Sequence, residues 1–188
     1  MTSRSKSRGL AHRTPRTLLI KSGLDEVSLH PVALSDRLAI KQLTLDPEQE
    51  QFVGSVETIF DTLHSSCYPD LEHPFAIVVR EKTVGFFILR ERQALPEWAP
   101  CDVVTLHRFR ICRACQGKGY GRAGADLAIL WVQLERAGVR HLMLAVNARN
   151  VLAKSLYLKA GFLDTGQIFR GPIGDQNILA VEIPRHGG

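Results

Sequence analysis

Alternating apolar and polar side chains mark a first strand at Glu26–Pro31, where Val27 and Leu29 share a face. Ser35-Asp36 opens a short helix over Arg37–Leu43, and Pro47–Val53 reads as a turn or a second short helix. Ser55 is an N-cap for a helix reaching about His64, because Val56, Ile59, Phe60 and Leu63 recur at helical spacing. Phe75–Arg80 and Thr83–Arg90 are strands joined by Glu81-Lys82, which predicts an antiparallel hairpin. Two prolines make Gln93–Pro100 a loop. Asp102–Ile111 is a longer strand, with Val103, Thr105, His107 and Phe109 on one face. The period then changes: Ala123, Leu127, Leu130 and Leu134 define a helix from about Gly119 to Ala137, stopped by Gly138. His141–Val146 is a short apolar strand. Asn150 caps a helix whose face is Ala153, Leu156, Tyr157 and Ala160; Gly161 is its left-handed stop and Phe162 packs back on it. Leu163–Phe169 and Gln176–Ile183 are the last strands. This order implies an α+β or mixed α/β fold with helices covering a sheet.

The 188 residues suit one domain, and 45% hydrophobic content is enough for a core. The net charge of +5 is unevenly spread. Arg4, Lys6, Arg8, Arg13, Arg16 and Lys21 occur with no acid in the first 21 residues, whereas the rest holds 18 basic and 19 acidic side chains. Residues 1–24 are therefore expected to be a disordered basic tail, and 25–188 the folded domain. The same composition fits an organelle-targeting leader or, less well for want of interleaved aromatics, a nucleic-acid arm. No apolar run approaches the roughly 20 residues needed to cross a bilayer, and none near the start marks a secretory signal. Four cysteines are too few for a disulfide scaffold, so a cytoplasmic location is expected.

The most informative stretch is Gln116-Gly117-Lys118-Gly119-Tyr120-Gly121-Arg122, between a strand and an amphipathic helix. Glycines bring backbone N–H groups close to a ligand, and the helix N-terminus adds unpaired N–H groups and positive potential, together a phosphate cradle. Residues 103–125 add Arg108, Arg110 and Arg113 and contain no acid. Gly119-x-Gly121-x-x-Gly124 matches a dinucleotide fingerprint literally, but the next strand, His141–Val146, lacks the ribose-binding acid that motif requires. Lys118 is not placed as a P-loop lysine.

Gln116-x-x-Gly119-x-Gly121 resembles instead the acyl-CoA pyrophosphate loop of the GNAT acetyltransferase superfamily. A second element at the right distance, Asn147-x-x-Asn150, Ala153, Leu156-Tyr157 and Gly161-Phe162, is similar to that family's following strand end and helix. The likeness covers about residues 26–183. Gln51-Phe52-Val53, Pro74–Ile77, Val84-Gly85-Phe86 and Arg108-Phe109-x-Ile111 look most like the bacterial spermidine and diamine acetyltransferases, although Cys112 and Cys115 stand where that subgroup carries an acid and an aromatic.

The resemblance implies a central mixed, mostly antiparallel sheet with one splayed parallel pair and helices on both faces. It implies acetyl-CoA as cosubstrate, without a metal. The backbone of Phe109, Arg110 and Ile111 would pair with the pantetheine, and Gln116, Gly117, Lys118, Gly119, Tyr120, Gly121 and Arg122 would hold the pyrophosphate. Asn147 lies beside it, and Asn150 would either flank the pantetheine or cap the helix. Tyr157 would protonate the departing thiolate. Thr105 and His107 align with the position of the family's general base, and His107 suits a base near neutral pH. A water chain ending on Glu72, Glu97 or Asp102 is the alternative.

Residues 42–79 hold seven acids and no Lys or Arg, which suggests a cationic, polyamine-like acceptor met by Asp70 and Glu72. A protein or peptide N-terminus is another acceptor, and a non-catalytic acyl-CoA-binding domain is a reading of a different class. Cys112-x-x-Cys115 supplies only two of the four ligands of a structural zinc site, so no metal is expected. The expected partner is a small-molecule amine, with no membrane and no nucleic acid other than through the basic tail; a homodimer is compatible with all of this.

Overall fold

The computed structural model describes residues 17–184 apart from Leu24. Most of the basic segment, with its expected disorder or targeting role, lies outside the described residues. The end of that segment is a strand: β1 (Leu18–Ser22) pairs antiparallel with β2 (Asp25–Pro31), and Leu18 is buried. The folded part thus starts before residue 25, because Leu18 and Ile20 pack on the core despite their basic flank.

Two short helices follow, α1 (Arg37–Lys41) and α2 (Pro47–Val53), then α3 (Val56–His64). Ser55 caps α3 by accepting the Thr58 amide at 3.1 Å, and Val56, Ile59, Phe60 and Leu63 are all buried, as their spacing predicts. β3 (Glu72–Val79) and β4 (Lys82–Glu91) form the hairpin. Its turn is Arg80-Glu81, both left-handed, one residue earlier than expected. β5 (Val104–Ile111) leads to α4 (Tyr120–Glu135), β6 (His141–Asn147) and α5 (Val151–Lys159). β7 (Leu163–Gly171) and β8 (Gly174–Glu182) close the chain. Asn150 caps α5 by accepting the Ala153 amide at 3.2 Å, and Phe162 packs against Tyr157 with ring centres 5.6 Å apart.

All eight strands belong to one sheet in the order β1-β2-β3-β4-β5-β6-β8-β7, antiparallel throughout except for β5 and β6. The mixed fold with one parallel pair is therefore as expected. Phe75, Ile77, Phe87 and Leu89 face α4 and α5, whereas Ala76, Phe86 and Ile88 face α1 and α3, so helices cover both faces. On α4 the buried face is Ala123, Gly124, Leu127, Ala128 and Val132; Leu130 is half-buried and Leu134 exposed. The true face drifts round the helix because small residues at 123, 124, 125 and 128 let α4 lie close on the sheet. Among the described residues no helix is long and apolar enough to cross a membrane.

One strand departs from the period-two expectation. On β5, His107 pairs with Ile88 and Arg110 with Phe86, so two residues oppose the single Phe87. Arg108 carries the extra position at φ +55°. This β-bulge turns Phe109 to the α4 face, where it stacks on Phe87 at 5.8 Å, and leaves Thr105 and His107 on the other. The single face expected for Thr105, His107 and Phe109 is thereby corrected.

Candidate active site

The parallel ladder of β5 and β6 consists of Val104–Leu142 and Thr105–Met143. Beyond these pairs the strands part: β4 holds the outer edge of β5 as far as Ile111, and β8 holds that of β6 as far as Asn147. Their inner edges then have no strand between them, so backbone polar groups face a cleft of about 450 Å³. Leu106–Phe109 form one wall, Leu144–Asn147 the other, and Tyr157 is also in the lining. Past Val53, Phe109, Asn150 and Ala153 the cleft runs on into a second space of about 250 Å³, reaching Ile111, Gln116, Gly117 and Gly121.

The glycine loop lies at that second end. Gln116 anchors it: its side-chain amide donates to the Ile111 carbonyl at 3.0 Å and to Gln49 Oε1 on α2 at 2.9 Å. Gly119 is the N-cap of α4 at φ +83°, and no side chain caps the helix. A Cβ there would come within 2.9 Å of Ser22 Oγ, so β1 packs against the loop where only glycine fits. The first-turn amides of α4 are left for an anion, which fits a pyrophosphate.

The side chains of several residues expected at the cofactor are engaged elsewhere. The Tyr120 hydroxyl donates to the Asp25 carboxylate and ties α4 to β2. Arg122 pairs with Asp126 at 3.2 Å, one turn along α4. Asn147 donates to the Ile173 carbonyl at 3.1 Å and accepts the Arg149 amide at 3.0 Å, which fixes the end of β6. Arg110, 2% exposed, donates to the Gly54 carbonyl, and its Nε and Nη1 are without a partner among the described residues. Lys118 is exposed beside the loop. Asn150 caps α5, one of its two expected roles, and lines both spaces.

Tyr157 is 7% exposed and held edge-on between Phe109 at 5.9 Å and Phe162 at 5.6 Å. Burial pushes its phenol well above the ordinary value, so it stays protonated. His107 is in the same cleft, hydrogen-bonded through Nε2 to Thr105 Oγ1 at 2.7 Å. Burial, helped by Arg90 and Arg108, pulls its pKa from 6.5 to about 3. The base expected near neutral pH is therefore a neutral imidazole with little capacity to keep a proton.

The acidic segment does not wall the cleft. Glu72 sits on β3 directly across from Arg90 and pairs with it at 2.7 Å, buried. Asp46, Glu57 and Asp61 pair with Arg113, Lys41 and Arg37 at 2.7–2.9 Å. Asp70 is exposed in the turn before β3. Neither Asp70 nor Glu72 lines the cleft, which corrects their expected acceptor role: cross-strand and interhelix partners neutralise most of that charge. Glu97 and Asp102 are exposed and do not line it either. Its charged wall is instead Arg90 and Arg108, with Trp98 beside them. Sequence patterning groups Arg108 with the phosphate loop, and nothing local singles out Arg90.

An antiparallel sheet opened at one parallel pair, with an amide cradle beside the gap, is the architecture of acyl-CoA-dependent transferases. The model of the acetyltransferase (GNAT) family matches residues 39–162, and the chain belongs to that family. It is an N-acetyltransferase. An uncharacterized N-acetyltransferase of Bacillus subtilis, YbbJ, is 34% identical over 109 residues, covering 57% of this chain and 68% of the relative. Among solved structures, the aminoglycoside acetyltransferase AAC(6')-Ib in complex with coenzyme A is 14% identical, with a TM-score of 0.69 over 83% of this chain and 94% of that one. The spermidine N-acetyltransferase of Vibrio cholerae, in complex with CoA and spermine, is 17% identical, with a TM-score of 0.64 over 84% and 95%. At these identities the solved structures establish the fold alone.

Proposed function

We propose that the cleft carries out direct acetyl transfer to the primary amine of a small acceptor, with Tyr157 meeting the departing sulfur. In this reading the first turn of α4 and the Gln116–Gly121 amides hold the pyrophosphate, and the free inner edge of Phe109–Ile111 hydrogen-bonds the pantetheine as a strand would. Acetyl-CoA supplies the thioester carbonyl. The amine lone pair forms the N–C bond as the C–S bond breaks; nitrogen loses a proton and sulfur regains one. A phenol is a weaker acid than a thiol, about 10 against 8.5. Tyr157 therefore works by sharing its proton with the developing thiolate rather than by giving it up beforehand. His107 orients the incoming nitrogen or relays its proton to water. The acetyltransferase domain in this reading begins at β1.

The observation that carries the proposal is the position of Tyr157, the one tyrosine lining the cleft, at the point where β5 and β6 have parted. The test is Tyr157→Phe, which keeps the ring between Phe109 and Phe162. The turnover number should fall by roughly 10²–10⁴-fold, with the acetyl-CoA Michaelis constant little changed because the contact is made in the transition state. Undiminished turnover in Tyr157→Phe would reduce the residue to scaffold. A polyamine acceptor is the second reading. The likeness to a spermidine N-acetyltransferase supports it, and the arginines of the cleft wall oppose it.

A further inference from the structure

The charge lining the acceptor end of the cleft is positive. Arg90, His107 and Arg108 contribute to the wall, and no Asp or Glu does so among the described residues. Arg90 is answered by Glu72 at 2.7 Å. Arg108 is not answered: its Nη1 donates to the Val53 carbonyl at 2.9 Å, and no carboxylate lies within ion-pair distance among the described residues. Its surroundings are costly to a cation, since it is largely removed from water and the Arg90 charge is close by, both of which lower its pKa. A guanidinium held in low dielectric beside a second cation calls for an anion.

Arg108 is also built into place. It occupies the bulge of β5 at φ +55°, a conformation that costs a non-glycine residue about 1 kcal/mol or more. Its guanidinium passes over Gly54, itself at φ +79°, where a Cβ would stand 3.1 Å from Nη1. Donation to Val53 fixes one amino group and leaves other N–H groups of the guanidinium for a two-pronged acceptor. The anion is not the pyrophosphate. Arg108 lies three residues, about 10 Å, back along β5 from Ile111, and lines the cleft with Trp98 and Tyr157 rather than the glycine-loop space. Pro96, Trp98, Pro172 and Ile173 add apolar surface to this space, and Gln51 and Gln176 add polar surface.

We propose that the acceptor is an amine that also bears a carboxylate within a few bonds of its nitrogen, as an amino acid with an apolar side chain does, and that Arg108, backed by Arg90, receives the carboxylate. This rests on the amine-acetylating function proposed above. One singly charged carboxylate balances the unanswered guanidinium of this cleft wall, fits its fork, and places the adjacent amine in the cleft that Tyr157 lines. A polyamine would add two or three cations to a wall that already holds two.

The test is an acetylation panel with acetyl-CoA: L-leucine and L-phenylalanine, their amides, the corresponding decarboxylated amines, and spermidine. The free acids should exceed their amides and decarboxylated amines by about 10- to 100-fold in kcat/KM, the range expected of a charge-assisted contact. Neutralising the carboxylate lowers the basicity of the amine and leaves more of it as free base. A preference for the acid over the amide therefore runs against the supply of free base and reports binding. Arg108→Gln, with folding checked by melting temperature and by stabilisation with acetyl-CoA, should bring the acid-to-amide ratio to within about threefold. Should that variant fail to fold, the ratio in the wild type decides by itself, and Arg108→Lys, which keeps the charge without the fork, should retain part of the preference. Equal use of acids and amides, a preference for spermidine, or an unchanged ratio in a folded Arg108→Gln would overturn this inference and leave the amine-acetylating function standing. Failure of every amine on the panel would overturn both.

Discussion

His107→Gln tests whether the cleft histidine is the neutral group that its surroundings dictate. In the unfolded chain its pKa is about 6.5; in the fold, burial and the two neighbouring guanidiniums bring it to about 3. The folded value is below the unfolded one, so the unfolded state binds the extra proton as pH falls. The stability is fully present above 6.5 and is lost progressively toward 3. Linkage puts the loss between pH 7.5 and pH 5.0 at about 2 kcal/mol for this one group. With a urea m-value of about 2 kcal/mol/M, the midpoint should move down by about 1 M from this source. His107→Gln removes the titration, and whatever it costs by altering the contact to Thr105 is the same at both pH values. Other titrating groups, such as His73 packed against Glu91 and Arg136, contribute equally to both proteins. The assay is the urea midpoint at pH 7.5 and 5.0 for wild type and variant. The difference between their pH-induced shifts should be about 1 M, with the wild type the more sensitive. Equal shifts would mean that His107 titrates in the fold as it does in water, and a general base operating near neutrality would be restored. The same neutrality predicts that kcat/KM for the acceptor rises with pH toward the pKa of the acceptor amine, without a break near 6.5.

Two further outcomes follow from the loop and the caps. Acetyl-CoA at about 100 times its Kd should stabilise the wild type by about 2.7 kcal/mol, and Gly119→Asp should abolish that thermal shift by placing a carboxylate and a strained residue at the N-cap of α4. A folded Gly119→Asp protein with an undiminished shift would refute the cradle. Ser55→Ala should cost about 1 kcal/mol of stability by leaving the Thr58 amide without its side-chain partner. The Michaelis constant for acetyl-CoA should not change, because Ser55 does not line either part of the cleft; chemical denaturation and steady-state kinetics check the two halves.

What could be read from the chain was local. Ser55 and Asn150 cap as their positions foretell, since a cap is a contact between residues three apart. Phe162 folds back on Tyr157 because a left-handed glycine allows one path out of α5. The glycine loop was legible for the same reason. Contacts distant in sequence were not. Glu72 and Arg90 are 18 residues apart and meet only through the register of the β3–β4 hairpin, so an acid-rich segment that suggested a cation site is largely neutralised. The motif places Asn147, Arg122 and Tyr120 near the cofactor but says nothing of their side chains, which are held by Ile173, Asp126 and Asp25. β1 was concealed by composition: a five-residue strand carries too few apolar positions to stand out beside a basic segment.

The bulge at Arg108 is where the missed and the legible parts join. Without it, β5 would present His107 and Phe109 to the same side. With it, Phe109 reaches the Phe87 and Tyr157 rings on the α4 face, while His107 keeps its contact with Thr105 on the opposite face. The extra residue bends β5 and increases its local twist, which suits its departure from β6, whose last ladder pair, Thr105–Met143, lies three residues before Arg108. One inserted residue thus serves three ends: it supports opening the gap, braces the ring beside Tyr157, and delivers a guanidinium to the acceptor side. Phe109 depends on the shift of face and Arg108 on the left-handed turn itself. A change that straightened β5 would therefore disturb acid and acceptor sites together, although the glycine loop, anchored separately by Gln116 to Ile111 and Gln49, would still hold a pyrophosphate.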